Sequence, residues 1–282
     1  MRTKRIITHT FVYLVLGCCL AVTMFPLVYI FLASFKDVQE LMAGGANIMP
    51  KKFTMDNYIR AWNAGNFSTY TLNSVIYSTT VSVLAVLFAS MLAFCVERRR
   101  FPGRMLIYST YMGSMFVAGV VTIYPIFMTV VRMRLNNTIL GLIIATLGGA
   151  QVYTMFLISG FLKGIPKELD EAAIIDGCGT FQVYSRVILP VIKPILFVTI
   201  MINFQGTWNS YMLPLALTLT NDRIRTLAVG VTQLAATGEG KIAAQWDLLI
   251  AGSCMSILPI MLLYSFNSKF FTDGMVSGAV KS

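Results

Sequence analysis

The reading of this chain turns on LNSVIYSTTVSVLAVLFASMLAFCV (residues 72–96), followed at once by ERRRFPGR (residues 97–104). About 25 consecutive residues pass without Asp, Glu, Lys, Arg or His, which is enough helix to cross a hydrocarbon core. Four arginines then crowd one short turn. The whole chain repeats the theme: 282 residues, 56% hydrophobic and only 12% charged, against roughly 25% charged in an ordinary soluble domain. Such a chain cannot clothe itself in the charged surface that solubility needs. Disorder is excluded too, because disordered chains are poor in apolar residues. The reading is an integral, all-α membrane protein.

Six apolar stretches are long enough to span, approximately Phe11–Phe35, Leu72–Val96, Met105–Val131, Thr138–Leu162, Ile188–Trp208 and Leu248–Phe271. The first follows a basic N-terminus, as a signal peptide would. Its apolar run exceeds the roughly 7–15 residues of a signal core, however, and no small-residue cleavage site follows. It is therefore expected to be a retained helix. Six spans put both termini on one side. Lys and Arg number 13 on that side and 9 on the other, so both termini are expected to be cytoplasmic. The net charge of +10 then belongs to loops facing anionic lipid, and nucleic acid is not an expected partner.

What the spans lack narrows the function. Gradient-driven transporters and charge-selective channels usually place ionisable groups inside the membrane. The span interiors here carry only Lys193, near the cytoplasmic end of the fifth, where its ammonium can snorkel to the interface. Energy for uphill transport must come from another subunit. The nearest phosphate-loop lookalike, around Gly238-Glu239-Gly240-Lys241, has Ala235 and Ile242 where Gly and Ser or Thr are required, so no nucleotide site is expected. One histidine (His9) and five cysteines without ligand spacing offer no metal site. Pro26, Pro125, Gly148-Gly149, Pro194 and Pro259 interrupt spans; bending around a pathway and ordinary membrane packing both account for them.

The connection between the fourth and fifth spans, about residues 164–187, is the most informative loop. Pro166 suits a first helical position, and Glu168, Asp170 and Glu171 suit the positive end of a helix dipole. Leu169, Ala172, Ala173 and Asp176 follow the spacing of one helical face. Gly177 and Gly179 are expected to end this helix, and Thr180 to cap a second running to about Leu189-Pro190. The two alanines would then lie exposed on one face, open to close approach by a partner's groove or by the lipid boundary.

Glu171-Ala172-Ala173, Gly177, Val187 and Leu189-Pro190 together resemble the EAA loop of ATP-binding-cassette (ABC) importer permeases, with Val187 where that family usually has Ile. Phe25-Pro26-Leu27, Phe53–Tyr58, Phe204–Tyr211 with Pro214-Leu215, and Gly274–Lys281 are similar to the sugar-importer branch, in particular to its smaller maltose-type permease. The resemblance implies one permease domain over 1–282 with the type I importer fold. It implies as partners a second, homologous permease, two ATPase subunits that hold ATP and Mg, an extracellular or periplasmic solute-binding protein, and a sugar. This chain itself would bind no cofactor and catalyse nothing.

By the same resemblance Glu171, Ala172, Ala173, Asp176, Gly177, Leu189 and Pro190 would serve ATPase coupling. Gly278, Ala279, Val280 and Lys281 of the tail would touch the ATPases. Thr237, Gly238, Glu239 and Gly240, in an outer loop of about 209–247, would reach into the binding protein. Tyr124, Phe127, Trp208, Asn209 and Tyr211 are candidates for stacking on or bonding to sugar along a pathway; anchoring or packing of helix ends is the competing role for each. A membrane scaffold or sensor that binds a regulatory partner without transporting is the alternative function.

Overall fold

A computed structural model describes the backbone at residues 2–43, 47–64, 66–234 and 245–279, and the side chains of those lying between 9 and 265. Every regular element among the described residues is helical. Four helices are long and apolar enough to cross a membrane, and up to six spans result if each of two bent helix pairs counts as one. The chain divides into two compact units, Met1–Phe67 with Gly230–Leu258, and Ser68–Val229 with Pro259–Ser282.

The first unit is organised around α1 (Arg2–Ala33), α2 (Val38–Met42) and α3 (Asp56–Ala64). Nearly all of the apolar segment His9–Ala33 is exposed from the protein, and only Ala33 at its end is buried. A helix apolar on every side has lipid as its natural solvent. Its end is tied to α3 by Asn57, whose Nδ2 donates to the carbonyls of Ser34 (2.9 Å) and Lys36 (2.8 Å). The Tyr58 and Ser34 hydroxyls meet at 2.6 Å. Ala61, Leu234, Leu248 and Ala251 form the core, flanked by Tyr58 and Met255. The Arg60 guanidinium meets the fully buried Asp247 carboxylate at 3.1 Å.

The second unit is built on α4 (Phe67–Arg98), α5 (Arg104–Ser114), α6 (Gly119–Arg132), α7 (Ile139–Lys163), α8 (Glu168–Ile175), α9 (Thr180–Val191) and α10 (Lys193–Trp208). The buried side of α4 carries Ser74, Ser78, Ser82, Ala85, Ala89 and Ala93, small residues at helical spacing. In lipid there is little hydrophobic drive between helices, so close backbone approach and a few polar contacts hold them together. Tyr77 bonds Thr146 across α4 and α7 (2.9 Å), and Ser90 bonds Tyr184 across α4 and α9 (2.8 Å). Among the described residues of this unit, one apolar cluster packs Phe94, Met155, Ile158, Leu162, Val183 and Ile188 around the Tyr184 contact, and a second contains Tyr77.

Two expected spans differ from straight helices. The third bends by 109° between Ser114 and Gly119. No Pro lies in that break; Gly113 and Gly119 flank it. The fifth bends by 78° at Ile192. Pro194, expected to interrupt the span, lies two residues past this break, in the first turn of α10, where its missing N–H has no helical partner to lose. Residues 183–188 of α9 form a π-helical turn. Beyond α10 come α11 (Met212–Leu217), a 3₁₀ turn at Asp222–Ile224, and α12 (Leu227–Leu234), and α13 spans Trp246–Ala279.

Candidate functional site

The loop after α7 is the best-defined local device. Helix α8 starts at Glu168, two residues later than Pro166 suggested, and its first turn holds Glu168, Asp170 and Glu171. Its end is a Schellman motif: Cys178 N–H donates to Ala173 O (2.9 Å) and Gly177 N–H to Ile174 O (3.0 Å). Gly177 takes φ +83°, a left-handed conformation that costs other L-residues. Gly179, by contrast, has an ordinary φ of −71° and occupies the cap position expected of Thr180. Its N–H donates to the Gln182 Oε1 (2.8 Å), so the cap is supplied from within the helix.

The alanines do not share an exposed face. Ala172 is exposed, whereas Ala173 is 6% exposed and packs into the α4–α7–α9 core. The inward side of α8 is Asp170 and Ala173, three residues apart. The outward side presents Leu169, Glu171, Ala172, Asp176 and, most openly, Ile175 at 85% exposure. Phe181 of α9 adds a second exposed apolar side chain (66%). Leu189 is half-buried against the core, and Pro190 is exposed.

Arg98, which sequence reasoning did not single out, holds this arrangement through Asp170, an acid expected only to favour the start of the helix. Arg98, the last residue of α4, donates from Nη2 to the carbonyls of Leu162 (3.0 Å) and Ile165 (2.8 Å), and its Nε lies 3.6 Å from Asp170 Oδ2. In the sequence Arg98 is one of three adjacent arginines, and only its position one helical turn from the end of a buried stripe distinguishes it.

The five proposed pathway residues do not converge. Tyr124 is exposed on α6, Phe127 packs in the second core cluster, and Trp208 is buried and stacked on Phe204 at 5.5 Å. Asn209 caps the end of α10 and is exposed. Only Tyr211 lines a groove, of about 700 Å³, with Thr122, Thr146, Tyr153, Asn203 and Ser210. Gly148 and Gly149 do not break α7; Gly149 lines the same groove. Thr237, Gly238, Glu239 and Gly240 lie outside the described residues, as do Val280 and Lys281; Gly278 and Ala279 end α13.

These features define a multi-pass helical membrane protein with a helix-bend-helix device between two of its spans. Residues 2–271 match the model of the binding-protein-dependent transport system inner membrane component family, and the chain belongs to that family. It is 31% identical to the arabinooligosaccharides transport system permease protein AraQ of Halalkalibacterium halodurans, over 92% of each chain. It is 30% identical to the diacetylchitobiose uptake system permease protein NgcG of Streptomyces coelicolor, over 91% of this chain and 83% of that one. Its fold is similar to a chain in the crystal structure of a bacterial ABC transporter that imports the acidic polysaccharide alginate, with a TM-score of 0.79 at 21% identity over 96% of this chain and 98% of that one.

Proposed function

We propose that this chain is a permease subunit of an ATP-driven importer for a sugar or oligosaccharide, working by alternating access in the bacterial cytoplasmic membrane with both termini cytoplasmic. The observation that carries the reading is α8: anchored inward by Asp170 and Ala173, it turns Leu169, Ala172 and Ile175 outward and stops at a left-handed Gly177. A helix face on which Leu169, Ala172 and Ile175 stand beside Glu171 and Asp176, next to a fixed bend, is suited to a groove on a partner, and family membership supports an ATPase as that partner. Two such ATPases hold MgATP; this chain contributes no catalytic group and no cofactor site. A second permease completes the pathway, and a solute-binding protein delivers the cargo. The names of the relatives, which include permeases for arabinooligosaccharides and diacetylchitobiose, support a carbohydrate cargo. Within this chain the groove containing Tyr211 is largely apolar, and Tyr153 and Tyr211 with Asn203 and Ser210 supply the aromatic and polar groups through which it would hold a sugar ring.

The test is copurification and uptake with Ile175→Glu. This side chain is exposed and packs on no core, so the variant should reach the membrane at wild-type level while losing the ATPase and uptake of a labelled oligosaccharide panel. Full ATPase retention and uptake by Ile175→Glu would refute the docking face. An ATPase that copurifies with the wild-type complex without uptake of any panel member would instead make the chain a scaffold.

A further inference from the structure

The Arg98 guanidinium is almost completely buried (side chain 2% exposed) at the junction of three helices. Its Nη2 donates to two carbonyls at the end of α7, that of Leu162 in the last turn, which also accepts the Ile165 N–H (3.1 Å), and that of Ile165 just beyond it. Its Nε faces the Asp170 carboxylate of α8 at 3.6 Å, a contact of charges just beyond hydrogen-bond length. Among the described residues, neither Arg98 Nε nor Asp170 Oδ1 has a hydrogen-bond partner. The neighbouring pair Glu97–Lys163, also at 3.6 Å, lies on the more exposed side of the same junction, with the Lys163 ammonium over the Tyr108 ring of α5.

Separating a buried ion pair leaves two uncompensated charges and is strongly unfavourable, even where the pair itself adds little stability. Asp170 therefore cannot swing away from Arg98 cheaply, and Arg98 is in turn fixed to the end of α7. Three residues along α8, Ala173 is packed into the same core, so the helix is held by two points on one face. Two fixed points define a lever, not a hinge.

We propose that Arg98 is the positioning residue that makes α8 a rigid extension of α4 and α7, so that displacement of α8 is passed to the spans and not absorbed in the loop. The inference rests on the reading that α8 docks an ATPase, but the rigidity it asserts belongs to this chain alone.

The test places nitroxides at Ile174→Cys, on α8 but off the face of Leu169, Ala172 and Ile175, and at Phe88→Cys on the exposed side of α4, in a cysteine-free background, and measures their distance distribution. It is run on the permease pair and on the full complex with ADP and with a non-hydrolysable ATP analogue. The wild-type distribution should be narrow and the same in all three states. Asp170→Asn, nearly isosteric and leaving both Arg98–carbonyl bonds possible, should broaden it about twofold, as expected when a buried guanidinium loses its counter-charge. Arg98→Gln should broaden it further, and transport per ATP hydrolysed should fall in both variants; a merely structural defect would lower uptake and hydrolysis together. A wild-type distance that shifts with nucleotide, or variants as narrow as wild type, would overturn the proposal. If no ATPase copurifies with the wild-type chain, the docking reading fails separately. The permease-only widths still decide the clamp.

Discussion

Replacing Gly177 isolates the geometry of the bend from everything around it. Its φ of +83° lies in the left-handed region, and an added Cβ would find no heavy atom within 4 Å. The penalty is therefore conformational and not a clash: about 1–2 kcal/mol for a residue with a Cβ, more for a β-branched one. A penalty of that size lowers the population of the correctly bent loop by roughly 5–30-fold. Asn visits this region more readily because its side chain bonds locally. The expected order of solute uptake is Gly177, then Asn, then Ala, with Val lowest. Since the strained residue lies beyond the buried face of α8, protein per membrane area should stay constant across the series. The assay is uptake by proteoliposomes of the whole complex, normalised to permease content. Equal uptake by the Ala and Val variants and wild type, or an Asn variant as poor as Val, would refute a role for the left-handed bend.

Gly141, in the first turn of α7, is required for a different reason: a Cβ there would stand 2.1 Å from the Leu135 carbonyl oxygen. Gly141→Ala should cost about 1–3 kcal/mol, as overpacking does, lowering the thermal midpoint in detergent; an unchanged midpoint would contradict the close approach. Burial raises the Tyr58 phenol above its ordinary value of 10.0, an effect its bond to Ser34 partly offsets. The folded state thus holds that proton more tightly than the unfolded one. The associated stability is complete below the unfolded value near pH 10 and is lost as pH rises through the raised folded value. Wild type should therefore lose stability faster than Tyr58→Phe above about pH 10, and parallel pH profiles of their thermal midpoints would count against the burial argument.

How far the sequence could be read depended on whether a feature was periodic or local. Long uncharged runs announce spans by length alone, and α1, α4, α7 and the first part of α13 lie where the runs do. The EAA-like loop was legible because helix starts and glycine stops are short-range signals. The break of the fifth span, two residues before Pro194, was legible too; the bend of the third was not, since no Pro lies between Ser114 and Gly119. Nor was the orientation of α8: Ala172 and Ala173 are chemically identical, and only the core formed by Phe94, Leu162 and Ile188 determines which of them is buried. The pathway candidates fared least well. Tyr124, Phe127, Trp208, Asn209 and Tyr211 look alike as polar or aromatic residues near span ends, yet only Tyr211 lines the groove.

The sequence by itself determined that this chain lives in a membrane, that its spans carry almost no charge, and that a helix stopped by glycine lies between two of them. These follow from composition and short spacing, which need no knowledge of neighbours. The tertiary structure alone decided which arginine of the basic turn reaches the end of α7, which acid of α8 it faces, and which alanine turns inward. Those choices depend on contacts between α4 and residues more than sixty positions later, at Leu162 and Ile165. A buried charge takes whatever partners the packing brings within reach, and no local pattern records where that will be.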